Sequence, residues 1–281
     1  MRRILACIDP SGYAAGVCDL AAWAALRLSA RIELLHVVQR RGAVTARHDL
    51  SGAIGLGVKG DLLEELTRID EADARLAVEQ GRVLLAASKE RLQAAGVAEV
   101  AVLHRHGGIV ETVLEREADA DLVVIGKRGA SSAFAADHIG SNVERVVRAS
   151  IRPVFVAPQT VGPMRTAVLA FDGSPSATRA LEFVATSPLL AGMELHVVTA
   201  GQRAASALDG PAARLTQAGR AVKSFVVEGR AETVIGNHMA AHPESLLVMG
   251  AYGHSPLRTL IVGSTTTTMI RTTAVPVLLV R

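Results

Sequence analysis

A run of glycines followed by hydroxyls is the part of the chain best equipped for chemistry. Gly250, Gly253 and Gly263 are followed directly by Ser264 and Thr265 in the spacing G-x-x-G-x9-G-S, just after the apolar run Leu246-Leu247-Val248-Met249. Glycines at a strand end let the backbone approach a ligand closely and adopt positive φ, and free N–H groups at a helix start favour an anion. A phosphate chain is the simplest ligand that satisfies both. A second copy, Gly126, Gly129, Gly140, Ser141 and Asn142, follows Leu122-Val123-Val124-Ile125, with ten residues instead of nine in its longer gap. Read blandly, both loops are tight turns and no more.

Each loop needs a strand before it and a helix after it, and internal repetition supplies them twice. Residues 3–9 (RILACID) match residues 166–172 (TAVLAFD), an apolar strand ending in Asp9 or Asp172 and followed by Ser11 or Ser174. An alanine-rich helix comes next, then residues 32–38 (IELLHVV) against residues 193–198 (MELHVV), which aligns His36 with His196 at an offset of 160 residues. Gly108 and Gly229 each turn a strand into a helix, and Pro153 and Pro276 open the closing strands, where a missing donor is tolerated. Five strands alternating with helices in each half predict a parallel sheet covered on both faces. The offset falls from 163 residues at Asp9 and Asp172 to 124 at Gly126 and Gly250, so the second half is shortened between its second and third strands. Residues 41–60 read as a mobile loop and residues 62–92 as one or two amphipathic helices. Residues 157–164, with two prolines and a glycine, read as a linker.

The doubled G-x-x-G-x9-G-[S/T] motif in strand–loop–helix context resembles the nucleotide loop of the universal stress protein family, and the resemblance covers most of the chain. It implies an α/β protein of two tandem Rossmann-like or flavodoxin-like domains, 1–158 and 165–281, each a five-stranded parallel sheet with helices on both faces, packed through their closing strands as an intramolecular pseudo-dimer. A homodimer of such chains is a further expectation. It also implies adenine-nucleotide binding, with ATP first and Mg or Mn accompanying it. Carried over by position, Asp172, Ala170 and Val197 lie near the base. Gly250, Gly253, Gly263, Ser264 and Thr265 follow the ribose and phosphates, with His254 as a further donor. The first half offers Asp9, Val37, Gly126, Gly129, Gly140, Ser141 and Asn142, with Lys127-Arg128 as positive charge for phosphate. Against that half stand its extra loop residue and the Asp137 carboxylate, so the second half is favoured. Asp172 has an alternative reading as part of a helix start, with Ser174 capping and Pro175 at the first helical position.

Composition sets the limits. Hydrophobic residues at 49% and charged residues at 20% exclude disorder, and 3% aromatics with a net charge of +3 argue against nucleic acid. Cys7 and Cys18 are too few for a disulfide framework and read as reduced core thiols. With no long apolar run and no signal-peptide core, a cytoplasmic protein without membrane contact is expected. His104 and His106 share a strand face at a spacing two ligands use, but no third ligand is apparent and no metal site is expected. His36 and His196 read as packed strand residues, and His48, His138 and His242 as loop or helix-surface residues. The chain lacks G-x-x-x-x-G-K-[S/T], G-x-S-x-G and H-E-x-x-H, and no general base is placed for water attack, so the expectation is a non-enzyme with at most slow ATP hydrolysis. The resemblance implies a role in the stress response as a nucleotide-dependent switch or chaperone-like module. The rivals are a dimerisation or interaction module of the same fold without nucleotide, and an adenylyl-transferring enzyme.

Overall fold

The computed structural model describes residues 1–39, 56–129, 140–201, 209–251 and 264–281. The first half runs β1 (Arg3–Cys7), α1 (Ala14–Leu28), β2 (Arg31–Val38), α2 (Leu56–Ala94), β3 (Val100–His106), α3 (Ile109–Glu117), β4 (Leu122–Gly126), α4 (Ser141–Ala149) and β5 (Val154–Ala157). The second runs β6 (Thr166–Ala170), α5 (Pro175–Thr186), β7 (Glu194–Ala200), α6 (Asp209–Gln217), β8 (Val222–Val227), α7 (Ala231–Ala241), β9 (Ser245–Gly250), α8 (Ser264–Thr272) and β10 (Val277–Val280). Pro153 and Pro276 each stand one residue before the closing strand, where their missing donors leave the ladder intact.

All ten strands form one sheet in the order β3-β2-β1-β4-β5-β10-β9-β6-β7-β8. Within each half the pairs are parallel, and the halves meet where β5 and β10 pair antiparallel through Val156–Val277, Phe155–Leu278 and Val154–Leu279. The order reads the same from either end, which is the signature of an approximate two-fold at the Phe155–Leu278 pair. The central strands are almost wholly apolar because helices cover both faces. Ile4, Ala6, Val124, Phe155, Leu169 and Leu278 pack under α1 and α5, while Leu5, Val123, Val156, Val168 and Leu279 pack under the helices of the other face. Alanines let α1 sit close to its face, with Ala21, Ala22, Ala24 and Ala25 buried.

The two halves differ most after their second strands. The segment expected to hold one or two helices is a single helix, α2, of 39 residues, about 58 Å long, against 9 residues for α6. Its second half covers the sheet with Leu85 and Leu92, while Leu66, Ile69 and Leu76 nearer its start are exposed. Of the loop expected over residues 41–60, residues 41–55 lie outside the described residues and the rest is already helical. Among the described residues no helix is long and apolar enough to cross a membrane. Both cysteines are free and buried, and burial pushes both thiols up, with Glu33 and Glu117 adding to the effect at Cys7.

Side chains lock the seam from both sides. Lys127 Nζ, after β4, donates to the Thr273 carbonyl beyond α8 at 3.0 Å, and Arg281, after β10, donates through one nitrogen to the carbonyls of Arg148 and Ser150 at the end of α4, both at 2.7 Å. Each cation thus meets carbonyls at the end of a helix in the opposite half, where the helix dipole favours it. Arg27 Nε donates to the Leu189 carbonyl at 2.6 Å and its other nitrogen to that of Ala191, with the guanidinium 5.0 Å from the Trp23 ring centroid. Trp23, the single tryptophan, meets Phe155 edge-on at 6.1 Å between centroids. Phe155 is fully buried, so Phe155→Ala should cost about 3–5 kcal/mol of unfolding free energy. Urea denaturation followed by Trp23 fluorescence measures this, and a loss under about 1 kcal/mol would show that the seam closes around the void.

Candidate functional site

Strand order reverses beside β1, which lies between β2 and β4, and beside β6, which lies between β7 and β9. In open α/β sheets the crevice outside the carboxyl ends at such a point takes ligands. In the second half Ala170 closes β6, half-buried and paired with Val198 and Met249. Asp172 follows on the exposed rim, its Oδ1 accepting from Ser174 N at 2.9 Å. Ser174 caps α5, its Oγ accepting from Ala177 N at 3.2 Å, and Pro175 occupies the first turn, so the helix-start reading of this stretch describes its local hydrogen bonding.

Gly250 ends β9 against that same turn. A Cβ there would lie 2.4 Å from the Ser176 carbonyl carbon and 2.6 Å from Ala177 N. The glycine is demanded by the first turn of α5 crossing the strand end, and this close approach brings Asp172 and the end of β9 to one rim. Ser264 opens α8. The Thr265 hydroxyl donates to Glu232 Oε1 at 2.7 Å, which ties α8 to α7. Gly253, His254 and Gly263 lie outside the described residues.

Val197 is fully buried in mid-strand, paired with Leu169 and Ser224, three positions before β7 ends at Ala200. Its placement exposes the true register of the repeats. Ile8 N donates to Leu35 O and Phe171 N to Val198 O, both at 2.9 Å, so β2 and β7 correspond at the same 163-residue offset as Asp9 and Asp172. The sequence match of His36 with His196 is therefore corrected. Thr199 takes the place of His36, and both bond to the equivalent carbonyl, His36 Nδ1 to Ile8 O at 2.9 Å and Thr199 Oγ1 to Phe171 O at 2.8 Å. Ala200 takes the place of Val37, and Glu33 that of His196.

In the first half the described ends of the loop are held by neighbouring groups. Asp9 Oδ1 accepts from Ser11 N at 3.2 Å, and Oδ2 lies 2.8 Å from where a Gly129 Cβ would stand. Ser11 Oγ donates to the Arg128 carbonyl at 3.4 Å, and a Cβ on Gly140 would be 3.4 Å from Gly129 N, so the loop closes at its base. Tyr13 Cβ stands 2.8 Å from a Cβ built on Gly126. Val37 is buried near the end of β2, Ser141 and Asn142 open α4 without a side-chain cap, and Asp137 lies outside the described residues. Lys127, expected to face phosphate, instead serves the seam. A cavity of about 380 Å³ lined by Arg3, Arg31, Glu33 and Glu99 opens at the opposite, amino edge of β1–β3.

With this geometry in place, comparison with known proteins decides the family. A family model described as "Universal stress protein family" matches residues 1–158 and again 164–281. The chain belongs to the universal stress protein family. Universal stress protein Slr1230 of Synechocystis sp. is 36% identical over 287 residues, covering 100% of both chains. Among solved structures, a universal stress protein of Archaeoglobus fulgidus matches with TM-score 0.68 and 20% identity over 99% of this chain and 98% of its own. The functionally unknown protein PA1789 of Pseudomonas aeruginosa PAO1 matches with TM-score 0.65 and 15% identity over 100% and 92%. These structures share its fold.

In this universal stress protein the sequence reading passed over one cluster. His238 on α7 and His242 at its C-cap bring their rings against His196, with centroids 5.1 and 4.8 Å away, and stack on each other at 4.4 Å. The signal was the i, i+4 spacing of His238 and His242, which puts both on one helix face. Burial, then His242, lowers the pKa of His238 to about 4, and burial foremost lowers that of His196 against the pull of Glu194. His104 and His106 stack at 6.0 Å, with His36 5.3 Å from His104 under Gly81 of α2.

Two outcomes test these assignments. Gly250→Ala should lower stability by about 1–3 kcal/mol, because its methyl meets backbone instead of a movable side chain. Thermal unfolding checks this, and an unchanged midpoint would mean that α5 does not bear on β9. Burial, then the neighbouring Arg128, pushes the Lys127 amine down to about 8 from 10.5. Between those values the unfolded chain holds a proton that the folded chain has lost, so stability rises with pH across the window. Urea midpoints of the wild type relative to Lys127→Met should therefore climb from about pH 7 to about pH 10, and a flat difference would contradict the half-buried placement of the amine.

Proposed function

We propose that this universal stress protein binds an adenine nucleotide, ATP foremost, at the carboxyl rim of β6 and β9 in its second half. The reading is supported by the position of Asp172 and Gly250, just after β6 and at the end of β9, two neighbouring strands beside the reversal of strand order, and by the sequence motif that suggested phosphate. Asp172 is an exposed acceptor for an exocyclic amine. Ala170 and Ala200 end the strands on either side, and Ala200 takes over the base-facing backbone position first given to Val197. The amides of Gly253, Gly263, Ser264 and Thr265 are assigned to ribose and phosphates, with His254 as an added donor. Mg or Mn is expected to arrive on the phosphates.

The first half is the lesser candidate. Its Asp9 and Ser11 already serve the loop, and its lysine serves the seam. Asn142, Ser141 and Gly140 are thereby assigned mainly to starting α4. No residue is assigned to activate water or an acceptor, so bound nucleotide is proposed to act by stabilising the rim and biasing contacts, as a switch and not as a substrate. The exposed Leu66, Ile69 and Leu76 of α2 favour a second reading, an interaction module that works with or without nucleotide.

A ligand that binds only the folded form adds RT ln(1 + [L]/Kd), about 2.7 kcal/mol at a hundredfold excess over Kd. Millimolar ATP should raise the unfolding temperature of the wild type, and Asp172→Ala should remove most of the rise while Asp9→Ala keeps it. No rise in the wild type, or a rise untouched by Asp172→Ala, would favour the interaction module.

A further inference from the structure

The amino edge of β7, at the other end of the sheet from the proposed nucleotide rim, carries a constellation that nothing above employs. His196, His238 and His242 each offer one ring nitrogen, and these nitrogens all lie within 4.8 Å of one another. His196 is 3% exposed, while the two helix histidines are half-buried, so the group is rooted in the core and reachable from solvent. We propose that these histidines bind a divalent transition metal of the zinc class, tying the end of α7 to β7.

The hydrogen bonds around the rings fit that use. His196 Nδ1 and His238 Nε2 face each other at 2.9 Å. On its other side, the Nε2 of His196 has no hydrogen-bond partner, although the Glu194 carboxylate stands 3.4 Å away. A small rotation completes that bond and fixes the tautomer with Nδ1 as the free lone pair, the carboxylate–histidine–metal arrangement. His242 bonds its Nδ1 to the His238 carbonyl at 2.8 Å, which leaves Nε2 for the ion. Zinc–nitrogen bonds of about 2.0–2.1 Å require ligand nitrogens about 3.4 Å apart, within reach of modest ring movement. Three imidazoles suit zinc, copper or nickel over calcium or magnesium, and leave a further position open. Lys223, at 2.5 Å from Glu194, has its charge balanced by that carboxylate.

The first half shows what these positions hold when no metal is called for. By the strand register Glu33 stands where His196 does. The pairings Ile32–Val100 and Leu195–Val222 carry the offset into the next strand, and with α3 and α7 counted from their N-caps, Gly108 and Arg230, Arg116 stands where His238 does. There Arg116 donates through two nitrogens to both Glu33 oxygens at 2.8 Å. A bidentate ion pair thus links strand to helix in one half, and an imidazole cluster in the other. A strand–helix tie needs only one such pair, yet the second half adds a third imidazole at His242.

The test uses the full chain stripped of metal by chelation. Zn2+ is titrated calorimetrically and Co2+ spectroscopically. One ion per chain should bind, with the visible bands of a low-coordinate cobalt site and a higher unfolding temperature. His242→Ala should fold and bind at least about tenfold more weakly. The double variant His196→Glu/His238→Arg, which transplants the first half's ion pair, should keep the circular dichroism of the wild type and lose the site. No uptake by the wild type, or uptake unchanged in both variants, would overturn the proposal, the latter placing the metal at other histidines.

Discussion

The antiparallel pairing of β5 with β10 is the constraint on which the rest of the molecule depends. Three residue pairs convert two parallel sheets into one of ten strands and place Phe155 at a site with no exposed surface. Because each half ends in this seam, each reversal of strand order is held at a fixed distance from the other half. The carboxyl rims then point in opposite senses along the sheet. Lys127 and Arg281 extend the seam by meeting helix-end carbonyls across it, so the lysine directly after β4 is tied to the other half. That commitment explains why two copies of one motif need not share one chemistry.

Much of the fold was legible in the residues. Apolar runs of four or five residues, each followed by glycine or aspartate, marked strands buried on both faces, and the repeated pattern gave their alternation with helices. The β2 and β7 correspondence misled, because HVV in both strands made an attractive match three residues out of register. Side chains alternate faces along a strand, so an odd slip moves a residue to the other side of the sheet. His36 packs beneath α2 while His196 packs against α7. Only backbone hydrogen bonds distinguish the alignments, and those pair residues remote in sequence.

At the candidate rim the sequence pointed to local geometry and not to the neighbours that impose it. Glycine at Gly250 signalled close approach, and close approach is found, but to the backbone of α5. Asp172 signalled an acceptor at a strand end, and it also organises the cap of α5. Such double duty is expected where a turn must be tight for packing and bare for a ligand. The histidine cluster was hidden for another reason. Its members come from one strand and one helix 42 residues apart, and Glu33 and Arg116 show that the same positions accept quite different residues.

The central claim is that the second half's rim holds an adenine nucleotide. Native mass spectrometry of gently purified full-length protein tests it most directly, since released ligand is weighed without being assumed. The account predicts an adenine nucleotide bound to the wild type and lost from Asp172→Ala at unchanged fold. Wild-type protein that carries none and takes up none from added ATP, or an Asp172→Ala variant that retains it in full, would contradict the account.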